Sequence, residues 1–237
     1  REKRTSLLAA VVVLVVAVPR VTCGSCTTTV PAGTMSGATW SIAGSPYCIG
    51  GDILVDSLTV EPGVLVQFLG EYELHVTGTL TAVGTAAQPI LFRKDSSNPS
   101  GWKGMVFDHA NSASRLVHCT VENATNTGVT IVNTILTVDH CSFSNNQGGN
   151  GGGLKVDLST ATGQLVLTEC VISGNNATGH GGGIYVNVSA GSLLLEGCIV
   201  TNNTANAARN HCQRTPAARP GSSFCTTNST SVPSCTR

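Results

Sequence analysis

Apolar positions in the second half of this chain recur with the cysteines rather than with a helical period. Four stretches align on them: LVHCTVENA from Leu116, VDHCSFSNN from Val138, LTECVISGN from Leu167 and LEGCIVTNN from Leu195. Each has an apolar residue three positions before the cysteine (Leu116, Val138, Leu167, Leu195) and another two positions after it (Val121, Phe143, Ile172, Val200). The cysteines, Cys119, Cys141, Cys170 and Cys198, are 22, 29 and 28 residues apart. Asn146, Asn175 and Asn203 follow the last three at a fixed offset. A triple glycine recurs at Gly151, Gly152 and Gly153 and at Gly181, Gly182 and Gly183. The alternation predicts short strands. The Asn- and Gly-rich segments predict turns, because both residues tolerate left-handed backbone.

A unit of this length that keeps its register describes a coil stacked on copies of itself. Equivalent residues then lie one strand spacing apart, roughly 4.8 Å, and asparagines repeated at one corner can form an amide ladder, as stacked side chains do elsewhere. The predicted fold is all-β, a parallel β-helix of about six coils over residues 51–205. The paired-leucine consensus of leucine-rich repeats is absent, and a β-sandwich would show hairpin turns rather than a fixed Cys and Asn register.

The pattern C-x-(F/I/V)-x-x-N followed by GGG(I/L) resembles right-handed parallel β-helix repeat proteins of bacterial surfaces. It is similar in particular to polymorphic outer-membrane proteins, whose repeats join an FxxN element to a GG(A/G)(I/L) element. Phe143 to Asn146 with Gly151 to Leu154 supplies one copy here, and Ile172 to Asn175 with Gly181 to Ile184 a looser one. Residues 57–92 resemble the opening coils of such proteins, and Gly101-Trp102-Lys103-Gly104-Met105-Val106-Phe107 the W-x-G-(I/M)-x-F coil that follows them. The resemblance implies a right-handed, single-stranded β-helix. It also implies a secreted or cell-surface location, the bacterial outer membrane included, and an adhesive or passenger role. Pectin-lyase-like enzymes use the same helix.

The ends differ from the coils. Residues 1–20 join a basic start to twelve apolar residues, Leu7 to Val18, too short for a comfortable membrane span of about 20 and arranged like a secretory signal. No integral membrane segment beyond it is expected. Residues 21–50 read as an N-terminal cap region. Residues 206–237 form an irregular tail rich in Cys, Pro, Ser and Thr, without strand periodicity. That tail leaves three readings open: disordered, tied by disulfides, or the end of a truncated or frame-shifted gene.

Composition agrees with strand and turn. The chain has 237 residues, 27 of them glycine, with 11% charged and 4% aromatic residues and a formal net charge of zero. The neutrality hides a division: residues 51–205 hold five basic and twelve acidic residues, a net of −7. Such a body is a poor polyanion binder, so nucleic acid is not an expected partner.

Candidate chemistry is sparse. The four coil cysteines occupy an inward register and read as a stacked thiol ladder, since Cys packs as a small hydrophobe. Cys23, Cys26 and Cys48 precede the coils, and a disulfide within that group is expected. Cys23 and Cys26 have redox-motif spacing without the βαβ context that motif needs, and no second CxxC supports zinc. His118 and His140 precede coil cysteines, so alternation places both rings outward on a solvated sheet face, with a metal site as the sharper reading. Gly179-His180-Gly181 is similar to the GHG element of polygalacturonases. Glycoside hydrolysis needs two carboxylates roughly 5 to 9.5 Å apart, and the paired aspartates of those enzymes are missing, so His180 reads as a loop residue. Lyase chemistry would draw on Asp139, Asp157, Glu169 and Lys155 with calcium. Otherwise no cofactor is expected. Sequons occur at Asn123, Asn176, Asn187, Asn202 and Asn228; they mark surface turns in a eukaryotic secretory chain and are a by-product of Asn- and Thr-rich turns in a bacterium. The sequence therefore points to an exported, non-catalytic scaffold that binds glycans or host or cell-surface proteins. A polysaccharide lyase or glycosidase, and a structural passenger fragment without ligand, are the alternatives.

Overall fold

The computed structural model describes residues 26–207, and within them short strands alternate with tight turns. The segment 1–20, Cys23, the cysteines at 212, 225 and 235, and the sequon at Asn228 lie outside the described residues.

The chain circulates. After each circuit it lies beside the strand it made one circuit earlier and pairs with it in parallel. Two large sheets result. One has eight strands in chain order: Thr28–Val30, Tyr47–Ile49, Leu65–Phe68, Ile90–Lys94, Cys119–Glu122, Ser142–Ser144, Val171–Ser173 and Ile199–Thr201. The other has twelve strands. In early circuits long strands, Ile53–Val60 and Glu73–Val83, run across the whole of it. In later circuits the same path is broken in two. Gly104–Asp108 pairs with the beginning of Glu73–Val83, and Arg115–Val117 with its end. Val129–Val132, Leu154–Leu158 and Ile184–Val188 extend the first half, while Thr137–Asp139, Gln164–Thr168 and Ser192–Glu196 extend the second. A small sheet of Gln147–Gly148, Asn176–Ala177 and Thr204–Ala205 lies between the large ones along the chain. This is the parallel β-helix expected from the repeat.

Parallel stacking starts earlier than residue 51. Thr28–Val30 pairs with Tyr47–Ile49, and Gly33–Met35 and Ala38–Trp40 pair with the two halves of Ile53–Val60. Apart from Cys48 these strands lack the Cys, Asn and triple-Gly markers of the later coils, which is why the segment 21–50 reads as a cap. A disulfide joins Cys26 to Cys48 at this end, and Trp40 stacks on Tyr47 with ring centroids 5.1 Å apart.

Registered pairing fills the interior with columns of like residues. Val66, Phe92, Val121, Phe143, Ile172 and Val200 form one. Ile53, Leu74, Met105, Val129, Leu154 and Ile184 form a second. Ala82, Leu116, Val138, Leu167 and Leu195 form a third. All are buried except Val200 and Leu195, which lie in the last described circuit. Each large side chain so buried contributes about 1.5–3 kcal/mol, and each touches the copies above and below, so the interior is one continuous core. Replacing Phe143 with Ala is expected to cost about 3–5 kcal/mol, read as a lowered urea midpoint. Replacing its outward neighbour Ser142 with Ala should shift stability by less than about 0.5 kcal/mol.

Candidate functional site

The most elaborate chemistry inside the helix is a ladder of asparagine amides at the corner after the eight-stranded sheet. At this corner one residue adopts left-handed backbone in every repeat: Asn123, Asn145, Gly174 and Asn202. The next residue turns inward, and from the second repeat on it is Asn146, Asn175 or Asn203. Asn175 Oδ1 accepts from the backbone N–H of Asn146 at 2.9 Å and from its Nδ2 at 3.1 Å. Asn175 Nδ2 donates to Phe143 O at 2.8 Å and to Asn203 Oδ1 at 2.9 Å. Both lone pairs and both amide protons are used, which is what burial of an amide requires. Asn146 Oδ1 in turn accepts from the N–H of Ala124 at 2.9 Å. The column ends on Trp102, which bridges to Ala124 and donates its indole N–H to Glu122 O at 2.9 Å while its ring stacks on Phe68.

The glycines exist because of this ladder. The residue before Met105, Val129, Leu154 and Ile184 is glycine every time: Gly104, Gly128, Gly153 and Gly183. A Cβ on Gly153 would lie 2.8 Å from Asn175 Nδ2, and one on Gly183 would lie 2.8 Å from Asn203 Nδ2. The triple glycine thus combines a left-handed first position, Gly151 at φ 76° and Gly181 at φ 65°, with a third position that clears space for the amides. The two triplets and, through the W-x-G-(I/M)-x-F motif, Gly104 are marked in the sequence; Gly128 is not, and its signal is the glycine that precedes each strand opening with an apolar residue.

The coil cysteines also form an interior column. Cys119, Cys141 and Cys170 are buried, Cys198 half-buried, and all four are free thiols. Each donates back to a carbonyl of the preceding circuit or its own: Cys141 Sγ lies 3.3 Å from Leu116 O, and Cys198 Sγ 3.2 Å from Leu167 O. Hydrogen bonding with the neighbouring thiol, then burial, pushes the Cys170 thiol far up; bonding with Cys119 raises Cys141 in the same way, and burial raises Cys198.

His180 takes the position that Asn150 holds one circuit earlier. Its N–H donates to Asn150 Oδ1 at 2.8 Å, its carbonyl accepts from Gly151 N–H at 2.9 Å, and its buried Nδ1 has no hydrogen-bond partner. His118 and His140 are adjacent, with ring centroids 4.8 Å apart. They do not stand on a sheet face. Each sits in left-handed backbone at a one-residue corner, followed in register by Glu169 and Gly197. The expectation that strand alternation sets both rings on a sheet face fails because the chain changes sheets at residue 118, between Arg115–Val117 and Cys119–Glu122.

The carboxylates are spread along the helix and engaged locally. Asp139 meets His140 Nδ1 at 2.7 Å, Asp108 meets His109 Nδ1 at 2.6 Å, and Glu73 meets His75 Nδ1 at 2.8 Å. Asp157 Oδ2 accepts from Asn187 Nδ2 at 3.0 Å. Hydrogen bonds from Ser97 hold the Asp95 carboxyl below the usual carboxylate range. Among the described residues no group of three or more His, Cys, Asp or Glu is arranged to hold a metal ion, and no helix is long and apolar enough to cross a membrane.

Residues 169–187 match the Chlamydia polymorphic membrane protein repeat. The match runs from the left-handed Glu169 through the strand Val171–Ser173, the ladder residue Asn175 and the triple glycine into Ile184–Val188. It therefore covers both corners and the amide ladder. No curated protein and no solved structure matches the chain. The chain is a parallel β-helix carrying a polymorphic membrane protein repeat. That family is associated with the outer membrane and cell surface, which supports a surface location here.

Two measurements probe this interior. Asn175→Ala removes the acceptor of the Asn146 backbone N–H and of one Nδ2 proton, and the side-chain donors to Phe143 O and Asn203 Oδ1, each group left unpaired costing about 1–3 kcal/mol; the expected readout is a urea midpoint far below wild type with the parallel-β circular dichroism retained at zero denaturant. The thiol column links stability to alkaline pH. A thiol raised in the folded state contributes stability in full below its unfolded value, near the ordinary 9.0, and loses it progressively above that. Stability should therefore fall as pH climbs from 8 to 10, and fall less steeply in Cys141→Ala and Cys170→Ala.

Proposed function

We propose that this chain is an exported, non-catalytic scaffold of the cell surface that presents its outer sheet faces to glycans or to proteins of another surface. The observation carrying this reading is the registered polar array on the outside of the same strands that build the core. On the eight-stranded sheet, Glu122, Ser144, Ser173 and Thr201 stand in one outward column. On the twelve-stranded sheet, Thr59, Thr81, Arg115 and Thr137 form another, and Lys155 with Asp157 lies beside Tyr185 with Asn187. Hydroxyl, amide and charged groups repeat every strand spacing, roughly 4.8 Å, on a backbone that cannot rearrange without breaking its ladders. A flat, preorganised row of donors and acceptors suits a repeating ligand, because little ordering entropy is lost on binding. The scattered, locally paired carboxylates lend no comparable support to acid–base catalysis, which needs two of them across one bond.

The test is direct. The purified chain is applied to a glycan array and to a panel of cell-surface proteins, and is incubated with polygalacturonate with and without calcium. Saturable binding without turnover is the expected result. Unsaturated sugar products would replace the reading with lyase chemistry, and silence in every assay would leave a structural passenger segment.

A further inference from the structure

At position 118 and its register mates, two imidazole side chains lie against each other at a corner of the helix. The backbone there is held on both sides: His118 N–H donates to Asp139 O at 3.0 Å, and His140 N–H donates to Thr168 O at 2.9 Å. Both residues have left-handed φ, 46° and 50°, so their Cβ vectors are fixed and leave the helix side by side. The imidazole centroids are 4.8 Å apart and the rings are inclined by 42°. Behind them the thiols of Cys119 and Cys141 point inward and donate to carbonyls, so they do not compete for a ligand at the surface.

The protonation pattern of the second ring is also set. Asp139 Oδ1 lies 2.7 Å from His140 Nδ1, and a carboxylate can only accept there, so in the neutral ring Nδ1 carries the proton and Nε2 offers its lone pair. This carboxylate–imidazole arrangement is the one that orients histidine ligands of metal ions. The His140 side chain is 48% exposed, and His118 is half-buried.

We propose that His118 and His140 form a two-imidazole surface site for a borderline transition-metal dication, with Cu2+ bound more tightly than Ni2+ or Zn2+. Two imidazole nitrogens would take neighbouring positions in the tetragonal shell that Cu2+ and Ni2+ prefer. Water completes the coordination. Glu169 does not close it, because its carboxylate lies over Gly197 in the following circuit: a Cβ there would come within 2.6 Å of Glu169 Cδ. The order of metals follows the general affinity series for nitrogen ligands. Asp139 is a positioning residue that acts through His140.

His109 supplies an internal control. It has the same left-handed backbone and the same carboxylate pairing, with Asp108 at 2.6 Å, but its register neighbour is Asn133 rather than a second imidazole. One imidazole alone makes a weak site.

The experiment is equilibrium dialysis of the full chain against CuCl2 and NiCl2, with Cu2+ electron paramagnetic resonance on the same samples. Asparagine is the substitution used, since it tolerates left-handed backbone, and thermal melts verify that each variant is folded. The double variant His118→Asn/His140→Asn should bind one equivalent fewer than wild type and lose a two-nitrogen splitting pattern. His109→Asn should match wild type. Asp139→Asn should weaken the site by about tenfold, the lower range for a lost outer-shell partner, without changing stoichiometry. An unchanged equivalent count in the folded double variant, or a wild-type spectrum without imidazole nitrogen, overturns the proposal.

Discussion

A buried primary amide has two protons to donate and two lone pairs to fill, and Asn175 fills all of them within one corner of the helix. Three of its four bonds go to asparagines one circuit away, so the arrangement is satisfied only when the corner repeats. That condition propagates outward. Amides at this spacing leave no room for a Cβ on the facing strand, hence Gly128, Gly153 and Gly183. The turn into the ladder must be made in a single residue, hence the left-handed Asn123, Asn145, Gly174 and Asn202. Where the ladder stops, something must still satisfy and fill the corner, and the Trp102 indole does both. The apolar columns supply most of the free energy, but they would tolerate a slip along the stack. The amides would not, because a buried half-satisfied network costs more than an apolar one.

A scaffold fixed in this way separates stability from recognition. Inward positions are constrained by copies of themselves above and below, while outward positions alternate with them and answer only to solvent or ligand. The outer faces can therefore vary in charge and hydrogen bonding without disturbing the core, and Thr59, Arg115 and Thr137 share one column despite their different chemistry. The matched repeat at 169–187 records this division. The matched segment contains a corner, a ladder asparagine and the triple glycine, all parts of the architecture, and a shared architecture does not by itself specify a binding partner.

Much of the fold was legible because the repeat is written in rare residues. Cysteine, paired asparagine and triple glycine mark register unambiguously, and the parallel stacking they implied is present. Circuits without those markers were harder to see. Thr28–Val30 and Ala38–Trp40 stack in the same way, yet Thr, Val and Ala are ordinary strand residues and carry no register of their own. The corner at residue 118 was hidden for a different reason. Val117, Cys119 and Val121 in LVHCTV alternate as well as any strand, but Leu116 and Cys119 are both buried three residues apart, a phase break that marks the turn at residue 118. Another clue lay in the fourth copy, where the equivalent residue is Gly197: a position filled by His, His, Glu and Gly in turn shares backbone conformation rather than side-chain chemistry.

That substitution pattern bears on how a functional site can arise here. Left-handed backbone costs a non-glycine residue something at every circuit, and the ladder hydrogen bonds on either side hold it regardless of what the side chain is. Selection for the turn therefore leaves the side chain free, and neighbouring circuits present their free choices side by side at one strand spacing. Two histidines in successive copies are enough to turn a structural corner into a pair of ligands, whereas His180, in a turn whose counterpart is Asn150, has no such partner. In a stacked helix the chemistry of a position is set by what its register neighbour happens to be, and a lone reactive residue in one circuit remains a loop residue until the next circuit answers it.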